Sequence, residues 1–189
     1  MFEIKDLYER PGELLTEAGV IMLASTFDVK KITPIIVRIM EFNLLTKSKR
    51  PEEITLIINS PGGEIDAAFQ LIDTMKSSRI PVRTVGMGTV ASAGLMTLMA
   101  GRKGSRSVTP NTSLMSHQYS WGSSGKEHEL VATNKEFTNT TNRILRHYKK
   151  CSGKSMTYIR KNLLCPSDVW MTSTEAKEHG LIDRIDTKY

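Results

Sequence analysis

Between Arg83 and Arg102 the chain carries no charge: Thr84 to Ala100 reads Thr-Val-Gly-Met-Gly-Thr-Val-Ala-Ser-Ala-Gly-Leu-Met-Thr-Leu-Met-Ala. A run of this length approaches a bilayer span. Its Gly86, Gly88, Thr89, Ser92, Gly94 and Thr97 nevertheless make it too polar and too glycine-rich for lipid. A buried strand, a tight turn and a buried helix placed end to end give the same uncharged pattern. Such a segment must be wrapped by other elements, and 189 residues with 39% hydrophobic and 24% charged content suffice for one domain with its own core. The same composition is too apolar for a disordered chain and too polar for a polytopic membrane protein.

The flanking periodicities alternate. Val20 to Leu23 reads as a short strand, and Val29 to Leu45 sets Ile32, Ile35, Ile36, Ile39, Met40 and Leu44 at helical spacing. Lys47 to Glu53 is a charged turn. Ile54 to Ile58 is a β-branched run closed by Asn59-Ser60-Pro61-Gly62-Gly63, as a buried strand would be. A helix is expected from Ile65 to Lys76, with Ala67, Ala68, Leu71, Ile72 and Met75 on one face, and a third strand over Pro81 to Val85. Strands and helices alternating in this way predict βαβ units with right-handed crossovers, so the fold class is α/β.

Beyond the uncharged run, Arg102 to Arg106 reads as a basic turn, Ser113 to Ser116 as a strand, and Tyr119 to Gly125 as a polar loop. Glu127 to Lys150 is predicted as one long helix whose Leu130, Phe137, Ile144 and Leu145 form a narrow apolar stripe in need of a partner surface. Thr172-Ser173-Thr174-Glu175 fits a capping box before a short helix over 173–179, which Gly180 would end. No repeat, low-complexity tract or linker divides the chain, so a single domain over 1–189 is expected.

Cys151 and Cys165 form no CxxC pair and no Cys/His cluster at zinc spacing, which predicts free thiols and no metal. The N-terminal Met-Phe-Glu-Ile-Lys-Asp lacks the basic-then-apolar layout of a secretory signal, so a cytoplasmic protein is expected. The +6 net charge is spread among acids without a stacking-aromatic pattern, which argues against a nucleic-acid partner.

Ser60-Pro61-Gly62-Gly63, Gly88 to Gly94, and Leu114 to Gln118 each fall at a predicted strand end. In open parallel sheets ligands bind outside the carboxyl ends of strands, so chemistry-bearing residues there are candidates for one site. Ser92 has small neighbours in Ala91, Ala93 and Gly94 that permit a sharp turn and an exposed hydroxyl, although Val90 breaks a GxSxG elbow. Taken alone it reads as a helix N-cap. A nucleophilic serine needs a base, and the histidines are His117, His128, His147 and His179. His128 and His147 fall among charged residues of the long helix, and His179 sits where a helix dipole favours it. His117 alone is at a strand end. Among many acids, Asp168 precedes Val169-Trp170-Met171, an apolar segment expected to shield its hydrogen bond, while a loop acid is an equal reading from composition.

Taken in order, Ile57-Ile-Asn-Ser-Pro-Gly-Gly63, Ala91-Ser-Ala-Gly94, Met115-Ser-His-Gln118, Asp168-Val-Trp-Met171, Glu175-Ala176 and Gly180-Leu-Ile-Asp183 resemble the motifs of the ClpP family of serine peptidases, across roughly residues 20–185. The resemblance implies a ClpP/crotonase-like superhelix of β-α-β units with a protruding handle helix. It divides the chain into an N-terminal segment 1–19, a head of 20–125 and 151–189, and a handle of 126–150. It also implies nucleophile Ser92, base His117 and acid Asp168, with an oxyanion hole of the Gly63 and Ala93 amides. An extended polypeptide would bind by backbone hydrogen bonds at Gly62, Gly63, Gly122, Ser123, Ser124 and Gly125, with no cofactor. Seven-membered rings, single or stacked as a tetradecamer, and an AAA+ Clp ATPase are the implied partners.

Some positions differ from the family pattern. Tyr119 stands where proline usually follows His-Gln, Ser167 where an arginine helps hold the rings together, and Ala18-Gly19 where an arginine is common. Two alternatives follow: a structural ring subunit of weak activity, and, by analogy of fold, a crotonase-type acyl-CoA enzyme whose paired amides stabilise a thioester enolate. Fluorophosphonate labelling of Ser92 separates both from a peptidase.

Overall fold

Three runs rich in apolar and β-branched residues and one short polar one assemble the parallel core of the molecule: β1 (Val20–Leu23), β2 (Ile54–Ser60), β3 (Val82–Ala91) and β4 (Arg106–Val108). The computed structural model describes residues 12–186, so the first eleven residues of the expected N-terminal segment lie outside the described residues. Strand order is β1-β2-β3-β4-β7, with β7 at Arg184–Ile185 and every pairing parallel. Ile54, Leu56 and Ile58 are fully buried, as the β-branched run requires when helices cover both faces.

Helices close the crossovers. After α1 (Glu13–Glu17), α2 (Val29–Leu44) follows β1, and α3 (Ile65–Ser77) follows β2. Asp28 caps α2 by accepting from the Lys31 amide at 3.0 Å. Ile32, Ile35, Ile36, Ile39 and Phe42 face the core, whereas Met40 and Leu44, expected on the same stripe, are 54% and 85% exposed. Their positions drift off a 3.6-residue face that the sheet covers only in part.

The uncharged run forms β3 and the buried α4 (Ala93–Met99), with every residue of α4 buried. The third strand is longer than the expected 81–85. It continues past Gly86 and Gly88 to Ala91, with an irregularity opposite Ile58 to Ser60 where Gly88 takes φ 67°. That bend lets one strand serve two neighbours. Thr84 to Gly86 pair with β4, and Thr89 to Ala91 pair with β5 (Ser113–Ser116). β6 (Val169–Met171) then adds antiparallel to β5.

The long helix α5 runs Glu127–Ser152 and ends on Gly153 at φ 75°. Its stripe is buried only at the head end: Ile144, Leu145, Tyr148 and Cys151 pack into the core, while Leu130 and Phe137 are 40% and 37% exposed. α6 (Met156–Asn162) has no counterpart in the periodicity reading, and α7 (Ser173–Glu178) begins with the expected capping box, in which Glu175 accepts from the Thr172 amide at 2.8 Å. Arg106, expected in a basic turn, is instead a strand residue 1% exposed. Its guanidinium is held by Asp183 and the carbonyls of Cys151 and Gly180. Cys151 and Cys165 are free thiols. No described helix is long and apolar enough to cross a membrane.

Candidate active site

Register brings three distant segments together. β3 and β5 pair with Ala91 opposite Met115, and the Ser92 amide continues the ladder by donating to Met115 O at 3.0 Å. β6 pairs with Ser116 opposite Val169, and one more antiparallel step sets His117 against Asp168. β5 thus lies between the strand that ends in Ser92 and the strand that begins after Asp168.

Ser92 takes φ 54° and ψ −120° as it turns from β3 into α4, and among the described residues other than glycine it alone has a positive φ. An L-residue held there stores about 1–3 kcal/mol. It occupies the N-cap position without acting as one: its hydroxyl makes no cap hydrogen bond and instead shares one with His117 Nε2 at 2.8 Å. The tautomer in which Nε2 accepts from that hydroxyl carries its proton on Nδ1, the nitrogen facing Asp168. Nδ1 lies 3.7 Å from Asp168 Oδ1, within ion-pair reach but beyond hydrogen-bond length. The expected shielding of Asp168 does not arise within the chain: its side chain is 59% exposed, and Trp170 is 57% exposed. β6 is an edge strand, and nothing among the described residues covers it.

The Gly62-Gly63 turn packs directly against Ser92. A Cβ at Gly62 would come within 2.6 Å of Ser92 Cβ, and one at Gly63 would strike the Phe27 carbonyl. Their φ values are 103° and 145°. Phe27 donates to Gly62 O and accepts from the Glu64 amide, both at 2.8 Å, which leaves the intervening Gly63 N–H pointing to the other side of this parallel bridge. Ser60 Oγ fixes the turn by accepting from the Gly62 amide at 3.1 Å. Ala93 N–H belongs to the first turn of α4 and has no partner within the helix.

A cleft of about 630 Å³ runs past these groups, lined among others by Pro61, Gly63, Ser92, Met115, His117 and Trp121. Glu64, Asp66 and Glu136 also line it, the last two paired with Arg143 at 2.9 and 3.7 Å. Beside it lies a smaller apolar recess of about 250 Å³ bounded by Tyr119, Phe137, Ile144, Leu145 and Leu164. Gly122, Ser123, Ser124 and Gly125 are exposed and do not line the cleft, whereas Ser120 and Trp121 do. Trp121 is drawn in by Phe137, at 5.0 Å between ring centroids, and Tyr119 donates to Phe137 O at 3.1 Å.

The other histidines have structural surroundings. His147 is not solvated: Nε2 donates to Met96 O at 2.8 Å, and burial pushes its pKa down to about 4. His179 accepts from or donates to the Tyr158 hydroxyl at 2.9 Å, and burial lowers its pKa despite the helix end. His128 lies exposed on α5. Phe27, which braces Gly63, is absent from the sequence reading, and Ser116 and Gln118, which flank His117 and bond to the α6–β6 loop, appear there within a motif but without a role. Adjacency to the candidate base was the available signal. Among the described residues no group of three or more His, Cys, Asp or Glu side chains is arranged to hold a metal.

Residues 4–188 match the Clp protease family. The chain is 32% identical to the ATP-dependent Clp protease proteolytic subunit 2 of Thermobifida fusca (strain YX), over 97% of this chain and 88% of the relative. It is 33% identical to the protein of the same name from Corynebacterium glutamicum, over 96% of this chain and 86% of the relative. A match spanning nearly the whole chain, on an α/β fold that converges strand ends on one cleft, means that this protein belongs to the Clp protease family.

Proposed function

We propose that this peptidase is a serine endopeptidase using Ser92 as nucleophile, His117 as general base and Asp168 as the orienting acid. The observation that carries the reading is the 2.8 Å contact between Ser92 Oγ and His117 Nε2, made by a serine held in a strained turn at a strand end. Ser92 Oγ attacks the scissile carbonyl carbon as its proton passes to His117 Nε2. The Gly63 and Ala93 amides stabilise the oxyanion. Collapse breaks the C–N bond, the leaving amine takes the proton from His117, and Ser92 carries the acyl group. Water, deprotonated by His117, then releases the acid and restores Ser92. Asp168 favours the productive tautomer and the imidazolium that forms, and its separation from Nδ1 shortens as substrate closes the site.

The substrate is an extended, unfolded polypeptide held by its backbone along the Gly62-Gly63 turn and Ser120-Trp121, with an apolar side chain in the recess beside Tyr119. Assembly into a seven-membered ring, single or paired, accounts for the apolar side chains left exposed on α2 and for the uncovered Asp168 and Trp170. The relatives' names describe ATP-dependent proteases, and an AAA+ ATPase in the cytoplasm is the partner proposed here for delivering substrate.

The test is labelling of Ser92 by a fluorophosphonate together with hydrolysis of an unstructured fluorogenic peptide. Wild-type protein labels and cleaves, and Ser92→Ala does neither. Undiminished turnover by Ser92→Ala rejects the serine mechanism, and an unlabelled wild type points to an acyl-CoA enzyme or an inactive ring subunit.

A further inference from the structure

His117 sits between two residues whose side chains reach the same short stretch of backbone. Ser116 Oγ, fully buried, donates to Leu163 O at 2.6 Å, and Gln118 Nε2 donates to Leu164 O at 2.9 Å. Leu163 and Leu164 close α6 and open the loop that delivers Asp168 four residues later. A hydroxyl has one proton to give, so the 2.8 Å contact between Ser116 and Tyr148 is donated by Tyr148, on α5. Burial raises the Tyr148 pKa to about 12 and keeps that proton in place. Two consecutive carbonyls beyond a helix end, which the helix cannot satisfy, are thus taken by the neighbours of the base.

We infer that Gln118, acting with Ser116, is a positioning residue that sets Asp168 against His117 by clamping the Leu163-Leu164 backbone. The register of β5 and β6 fixes Ser116 opposite Val169, but Asp168 lies outside that ladder on an exposed loop. The clamp completes the hold on the loop leading to Asp168: the Leu163 and Leu164 amides already donate to Ile159 O at 2.9 and 2.8 Å, and the two side-chain bonds tie their carbonyls to the strand that carries His117, 3.7 Å from Asp168. A displacement of about 1 Å at a reacting group lowers rates by as much as 100-fold, so a bond remote from substrate can control turnover. Gln118 does not touch substrate in this role. It works through Asp168, and only if Ser92 is the nucleophile proposed above.

The experiment is a double-mutant cycle on the full chain with Gln118→Met, Asp168→Asn and both, read as kcat and KM for a fluorogenic peptide, as the rate of fluorophosphonate labelling, and as melting temperature. Met matches the length of Gln without its donor, and the site is at the surface, so the variant folds. Gln118→Met lowers kcat and the labelling rate roughly tenfold, with KM within about twofold. In the Asp168→Asn background the further loss falls below about twofold, because the group being positioned is already gone. The inference is overturned if Gln118→Met leaves kcat unchanged, or if its full tenfold loss recurs beside Asp168→Asn. Labelled wild type with an additive cycle overturns the positioning role alone, whereas unlabelled wild type overturns both it and the serine mechanism.

Discussion

Arg106 and Asp183, 77 residues apart in sequence, form a two-pronged ion pair at 2.7 and 2.8 Å around a guanidinium that is 1% exposed. Two of the three remaining guanidinium hydrogens go to Cys151 O at 2.9 Å and Gly180 O at 3.2 Å, so one side chain joins β4, the end of the long helix and the C-terminal turn. Arg106→Met strands a partly buried carboxylate and two carbonyls. The expected cost is about 3 kcal/mol, read as a fall of roughly 6–12 °C in melting temperature.

The same pair governs acid stability. Burial alone would raise the Asp183 pKa, but the hydrogen bonds and charge of Arg106 and the Gly104 amide overcome it and hold the group at about 2, below the ordinary 3.8. A carboxyl lowered on folding stabilises fully above its unfolded value, and that contribution is lost as pH falls through the folded one. Denaturation followed between about pH 4 and pH 2 shows this loss in the wild type. Asp183→Asn is less stable at neutral pH and loses less across that window, where Asp28 and Glu175, lowered by their own cap hydrogen bonds, still titrate.

His147 gives a second window. Burial lowers its pKa from 6.5 to about 4, against the raising influence of the Met96 carbonyl and with the help of Lys76 and Lys150. The unfolded chain therefore takes up a proton that the folded protein refuses. The stabilisation is complete above pH 6.5 and declines to pH 4 by about 3 kcal/mol at most. His147→Gln, which keeps a donor for Met96 O, removes that slope in urea titrations made from pH 7 to pH 4.

Gly62 is constrained by the nucleophile itself. Its φ is 103°, and a Cβ added there would lie 2.6 Å from Ser92 Cβ, 3.0 Å from Ala91 O and 3.1 Å from Ala93 N, so the extra methyl meets backbone that cannot yield. Gly62→Ala moves Ser92, the adjacent amide or both, and peptide hydrolysis falls on the order of 100-fold. Retention of most activity would show that the turn can give way.

Strain at Ser92 has a measurable sign. At φ 54° a glycine is unstrained and an alanine is not, while neither can bond His117. Ser92→Gly therefore melts above Ser92→Ala, by about 1 kcal/mol after the larger chain entropy of glycine is discounted. Equal melting temperatures would mean that the turn relaxes once the hydroxyl is gone.

Much of the architecture was legible because long apolar periodicities are local. β1, β2, α2, α3 and α5 stand close to the spans expected from Val20, Ile54, Val29, Ile65 and Glu127. The elements that were not legible, α1, β4, β6, β7 and α6, are 2 to 7 residues long, too short for a period to emerge. Arg106 misled for the same reason: a charged residue beside Arg102 and Lys103 looks solvated until its partner Asp183 is brought to it.

The amino-acid order by itself determined the alternation of strand and helix, the burial of Thr84 to Ala100, and the three strand ends at which Gly63, Ser92 and His117 stand. These follow from local stereochemistry and from the removal of apolar surface from water, both of which are written in the spacing of the residues. Only the tertiary structure decided that Ser92 bonds His117 rather than capping its own helix, that Asp168 comes within 3.7 Å of His117 from the loop before β6, and that Ser116 and Gln118 bond the Leu163 and Leu164 carbonyls. The hydrogen bonds among these contacts join residues 25 to 47 positions apart, and strand register, not local preference, sets which side chains meet.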